Sequence, residues 1–84
     1  MHEYWEDLAN AIIERAAIDY GIVLKKLAAI PPGREHQPMR DKLNRERRKI
    51  ERFFRSKWYK ALTTVDGETL MKKLKEMHRK DDAL

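Results

Sequence analysis

Apolar residues recur at three- and four-residue steps from the first turns of the chain: Trp5, Leu8, Ile12, Ala16, Tyr20, Val23 and Leu27, with Ile13, Ala17 and Leu24 widening the stripe. This is the period of an amphipathic helix. Between Glu3 and Ala29 there is no proline and only Gly21 as a breaker, so the spacing predicts one helix over about 3–29. Glu3, Glu6 and Asp7 near its start and Lys25 and Lys26 near its end match the helix dipole. At about 1.5 Å per residue it would be roughly 40 Å long. So long a helix in a small domain has to lie along a second helix or pair with another copy of itself. Ile30-Pro31-Pro32-Gly33 ends it, because Pro31 biases Ile30 away from helical angles and Gly33 supplies the reversal. Pro38 suits the first position of the next helix. A connection this short favours an antiparallel hairpin of helices.

The second periodic run is centred on Ile50 to Leu74, IERFFRSKWYKALTTVDGETLMKKL. A straight helix from Met39 would align Leu43, Ile50, Phe53, Phe54 and Ala61, but would put Lys57 at the centre of that stripe and swing Trp58 off it. A break at Ser56, whose hydroxyl can cap a new first turn, removes the conflict. The expectation is a helix over about 38–55, a short helix over about 57–62 and, after Thr63-Thr64-Val65-Asp66, a last helix over about 67–79 capped by Asp66. Phe53, Phe54, Trp58, Leu70 and Leu74 are the expected core anchors. The fold class that follows is all-α: a long antiparallel helical hairpin followed by one or two short C-terminal helices, as a single domain over 1–84.

Composition narrows the classes of function. Eighty-four residues allow one domain, and a small one buries a modest share of its surface. Charged residues make up 39% and aromatics 8%, which suits a helical protein with a thin core. There is no cysteine, so disulfides and thiol catalysis are excluded. No apolar run is long enough for a membrane span, and MHEYWED lacks the basic start of a secretory signal. A cytoplasmic protein is expected.

Charge is where a function is most legible. Residues 34–60 hold 11 Lys or Arg against 4 Asp or Glu, a net +7, while 1–33 carry −2 and 61–84 carry 0. On the second helix Arg45, Arg48, Arg52 and Arg55 form one ridge at steps of three, four and three, with Lys49 beside them. The ridge lies nearly opposite Leu43, Ile50 and Phe54. It has two explanations: a solvated face partly answered by acids of the first helix, or a track for phosphates, which the planar, always-charged guanidinium binds through two nitrogens. Nothing in the chain specifies bases, since helix-turn-helix, zinc-finger and aromatic RNA-binding signatures are all missing.

Other constellations carry less. His2, His36 and His78 are far apart and share no helical face with a ligand-spaced partner, so no metal and no cofactor is expected. Glu46 and Arg47 interrupt the apolar stripe as a wet gap in packing. Glu51 has Arg55 in reach, and Glu46 has Lys49. Trp5, Trp58 and Tyr59 are most simply core or interface residues; an exposed Trp58–Tyr59 pair would suggest a docking surface. No nucleophile, phosphate loop or catalytic carboxylate pair is present, so the chain is not expected to be an enzyme.

The run ERFFRS-KW at Glu51 to Trp58, then Leu62-Thr63, then Asp66-Gly67-Glu68 and the basic helix from Leu70 to Leu74, resembles a family of small proteins encoded by phages and prophages of Gram-positive bacteria. The resemblance covers the C-terminal half well and the first helix only in character. It implies a bacterial host cytoplasm as the setting and supplies no site residues. The expected function is non-enzymatic binding of nucleic-acid backbone, without sequence preference, through Arg45, Arg48, Lys49, Arg52 and Arg55. The alternatives are an inhibitor of a host defence or regulatory complex, or a self-assembling helical protein, a homodimer included.

Overall fold

The computed structural model describes residues 2–83 of the backbone and the side chains of 5–78. Four α-helices follow one another: α1 His2–Ala29, α2 Gln37–Phe54, α3 Lys57–Leu62 and α4 Gly67–Ala83, with a 3-10 turn at Arg34–His36 before α2. Among the described residues there is no strand. The fold is all-α, a long helical hairpin followed by one short and one longer helix.

Each boundary has a local cause. Gly33 takes φ 138°, a left-handed conformation that favours glycine, and the chain reverses there. Pro38 stands in the first turn of α2, where a missing N–H costs nothing. α2 stops at Phe54, and Ser56 restarts the helix: its Oγ accepts from the Tyr59 N–H at 3.1 Å and donates to the Phe53 carbonyl at 2.6 Å. Lys57 accordingly points to solvent. Asp66 caps α4, its Oδ2 accepting from the Thr69 N–H at 3.0 Å and the Thr69 hydroxyl at 2.8 Å. α4 continues to Ala83, past the 79 expected from the apolar pattern. No Gly or Pro follows Gly67, so nothing in the sequence stops it.

The core lies where all four helices meet. Tyr20, Phe54, Tyr59 and Met71 are fully buried, and Ile13, Ala16, Leu24, Ile50, Phe53, Leu70 and Leu74 pack around them. The rings meet edge to face: Tyr20 and Phe54 with centroids 5.9 Å apart, Phe54 and Tyr59 at 5.6 Å, Phe53 and Tyr59 at 5.8 Å. α4 starts against the end of α2, where the Gly67 Cα faces the Phe54 carbonyl, and runs back past Glu51 toward Gly21, which lies against the His78 imidazole. α1 therefore packs along α2 and also under α3 and α4.

Two aromatic assignments are corrected. Trp58, expected as a core anchor, is 56% exposed, and its neighbour Tyr59 is the buried ring at 1%. The reason is the restart at Ser56, which resets the helical phase so that Tyr59 and Leu62 face inward and Trp58 faces out. Trp5, expected as a core or interface residue, is exposed as well, while Ala9 one turn later is buried.

Candidate nucleic-acid interface

α2 divides its residues between two opposite faces. Leu43, Ile50 and Phe54 turn toward the core, while Arg45, Arg48, Lys49 and Arg52 are all exposed on the far side, with Lys42 beside them. Their spacing places Arg45–Lys49 and Arg48–Arg52 four residues apart, so like charges stand next to one another along the helix. Among the described residues none of these four cations has an ion-pair partner. The acids of α1 do not answer them: Asp19, nearest on the sequence stripe, pairs instead with Arg15 at 3.5 Å.

Arg55 differs from the other members of the ridge. Its guanidinium is held by the Glu68 carboxylate at the start of α4. Sequence spacing pairs Glu51 with Arg55, but the structure pairs it elsewhere. Glu51 turns inward, where Arg47 reaches it at 3.0 Å and Lys75 at 3.8 Å. No Glu46–Lys49 pair forms among the described residues; Glu46 lines shallow grooves beside α1.

The inward Glu51 belongs to a polar cluster that the sequence does not announce. Its carboxylate, 6% exposed, accepts a 2.7 Å hydrogen bond from the Tyr20 hydroxyl and is bracketed by Arg47. Burial by itself pushes the carboxyl up, but the Tyr20 hydrogen bond, Arg47 and Lys75 outweigh it and hold the pKa below the usual carboxylate range. Burial and then the Glu51 hydrogen bond push the Tyr20 phenol well above its ordinary value. Of the two residues that interrupt the apolar stripe, Arg47 thus joins Glu51, Tyr20 and Lys75 in a charged knot, while Glu46 stays outside it. One signal was available: Arg47 lies one turn before Glu51, and folding the chain at the 30–37 connection sets position 20 across from about position 47, one turn short of Glu51. The knot ties α1, α2 and α4 together through one hydrogen bond and two ion pairs on a single carboxylate, the arrangement of a structural lock.

The remaining candidates do not assemble. His36 sits beside Glu35 at 3.7 Å on the surface, His78 is packed on Gly21, and the side chain of His2 lies outside the described residues. Among the described residues no group of three or more His, Cys, Asp or Glu comes together to hold a metal ion. No described helix is long and apolar enough to cross a membrane. No family model matches the chain, and neither the curated proteins nor the solved structures contain a significant match to it.

Proposed function

We propose that this protein acts by binding and not by catalysis, and that its ligand is the phosphate backbone of nucleic acid, taken without sequence preference on the outer face of α2. The observation that supports this is the set of four exposed cations, Arg45, Arg48, Lys49 and Arg52, opposite the core and without an acidic partner among the described residues. A merely solvated charged face would be expected to pair its cations with acids at one-turn spacing. Asp41 stands one turn before Arg45 and Glu46 three residues before Lys49, but Asp41 accepts a hydrogen bond from Gln37 and neither acid forms an ion pair with the ridge among the described residues. A ridge of about 10–15 Å spans several phosphates of one strand. The setting we propose is that of the small phage and prophage proteins whose sequence pattern Glu51 to Leu74 resembles, in a bacterial cytoplasm.

The test is a salt series of retardation assays on DNA and RNA with the parent and with Arg48→Gln/Arg52→Gln. The double variant keeps its helix content, because both positions are exposed and Gln is a good helix former. Its affinity falls for every sequence alike, and its slope of log affinity against log salt shrinks by about one to two units. A parent that retards neither polymer at low salt sinks the proposal. A second reading then takes its place, a protein partner such as a host defence or regulatory complex or another copy of this chain. It draws on Trp5, Leu8, Ile18 and Ile22, large apolar side chains left exposed along α1.

A further inference from the structure

Trp58 and Trp5 are the two largest side chains that the fold leaves exposed, and Trp58 is the one that stands in the basic segment. α3 is a helix of six residues whose inward positions are Tyr59 and Leu62; its outward positions are Lys57, Trp58, Lys60 and Ala61. The Ser56 cap sets that phase, so the same hydrogen bond that buries Tyr59 presents Trp58. Lys57 and Lys60 are exposed on the same short helix, one residue before the ring and two after it in the chain. The Cα atoms of Arg55 and Trp58 are three residues and at most about 11 Å apart. Arg55 and Lys60 line one cleft of about 570 Å³ where α2, α3 and the turn into α4 meet, together with the acids Asp66 and Glu68; Trp58 stands outside that lining. The exposed ring therefore belongs to the +7 segment 34–60 and follows the exposed cations of α2 directly in the chain.

We infer that Trp58 is a stacking platform for an unpaired base, so that the preferred ligand of the basic face is single-stranded DNA or RNA and not the duplex. This rests on the backbone-binding proposal above and adds its ligand class. Phosphates on the ridge supply attraction that is indifferent to strandedness, whereas a base is free to stack on a side chain only where it is not stacked and paired in a duplex. Every base has a π-face, so the platform confers strand preference without sequence preference. Charge favours this occupant over an apolar protein segment: Lys57 and Lys60 are exposed on the same helix as the ring, no acid stands among the outward residues of α3, and the nearby acids Asp66 and Glu68 are engaged with Thr69 and Arg55.

The experiment compares an oligothymidylate with a duplex of equal length, using the full chain in a Trp5→Phe background so that Trp58 is the only indole. The parent binds the single strand more tightly, and Trp58 emission is quenched on binding. Trp58→Ala weakens single-strand binding by roughly 5- to 150-fold, leaves duplex affinity unchanged and leaves the melting curve unchanged, because the ring is not in the core. Trp58→Phe recovers most of the loss. Equal weakening on both polymers, or no weakening on either, overturns the platform while the backbone proposal stands. Absence of binding to both polymers at low salt overturns the two together.

Discussion

A carboxylate held at 6% exposure against a tyrosine hydroxyl is tolerable only while its charge is met from several sides. Glu51 has Tyr20, Arg47 and Lys75. Because these hold its folded pKa below the unfolded value, the stability it contributes is present above the ordinary carboxylate range and is lost as pH falls through the folded pKa. Urea unfolding at a series of pH values is expected to show an acid limb below about pH 4 that flattens in Glu51→Gln, which also loses about 1–3 kcal/mol at pH 7. The two buried tyrosines make a paired prediction of opposite sign. Tyr20 donates to a charged acceptor, so Tyr20→Phe costs about 1.5–3 kcal/mol. Tyr59 has its hydroxyl buried with no hydrogen-bond partner among the described residues; burial and then the Asp66 charge push its pKa up. Tyr59→Phe removes that unsatisfied group and is expected to be neutral or stabilising by about 1 kcal/mol in the same assay.

At the scale of elements, the ends of helices were legible and the facing of one short helix was not. Gly33, Pro38, Ser56 and Asp66 each act through a local mechanism, a left-handed φ, a missing donor or a capping oxygen, and such mechanisms can be read residue by residue. The inward and outward sides of α3 depend on how the restart at Ser56 rotates the helix against α1, which is a tertiary fact; hence Trp58, expected as a core anchor, faces solvent while Tyr59 turns inward. The Tyr20–Glu51 contact needed the register of the hairpin, and only a long-range pairing fixes that. Two substitutions test the joints. Ser56→Ala removes the cap of α3 and is expected to cost about 0.5–2 kcal/mol. Gly67→Ala places a methyl group onto the Phe54 carbonyl oxygen, a backbone atom that cannot swing away, so α4 has to shift from the end of α2. That variant is expected to lose about 1–3 kcal/mol by thermal or chemical unfolding. An unchanged melt would mean that α4 begins farther from α2 than described.

For the molecule as a whole, the charge is distributed so that folding and binding respond to salt in opposite directions. Of the net +5, the segment 34–60 carries +7 and the rest of the chain is slightly acidic. Along α2 the pairs Arg45–Lys49 and Arg48–Arg52 stand one turn apart, and each such like-charge pair opposes the helix by about 0.2–0.5 kcal/mol at low ionic strength. The Debye length falls from about 30 Å at 0.01 M to about 3 Å at 1 M, and this repulsion between exposed groups fades with it. The knot around Glu51 is more buried and is screened less. The free protein is therefore expected to melt at a higher temperature as sodium chloride is raised from 0.02 to about 0.5 M, over the range in which affinity for a polyanion falls. Adding an excess of nucleic acid at low salt raises the melting temperature too, by mass action on the folded state. Arg48→Gln/Arg52→Gln removes the Arg48–Arg52 pair and leaves Arg45–Lys49, so its melting temperature starts higher at low salt and rises less with added salt, while the stabilisation by nucleic acid shrinks. Circular-dichroism melts of the two proteins across the series, with and without ligand, measure all of these slopes. A parent whose stability declines with salt would show that exposed ion pairs, and not repulsion along α2, dominate its electrostatics, and the ridge would lose its standing as the least compensated charge on the molecule.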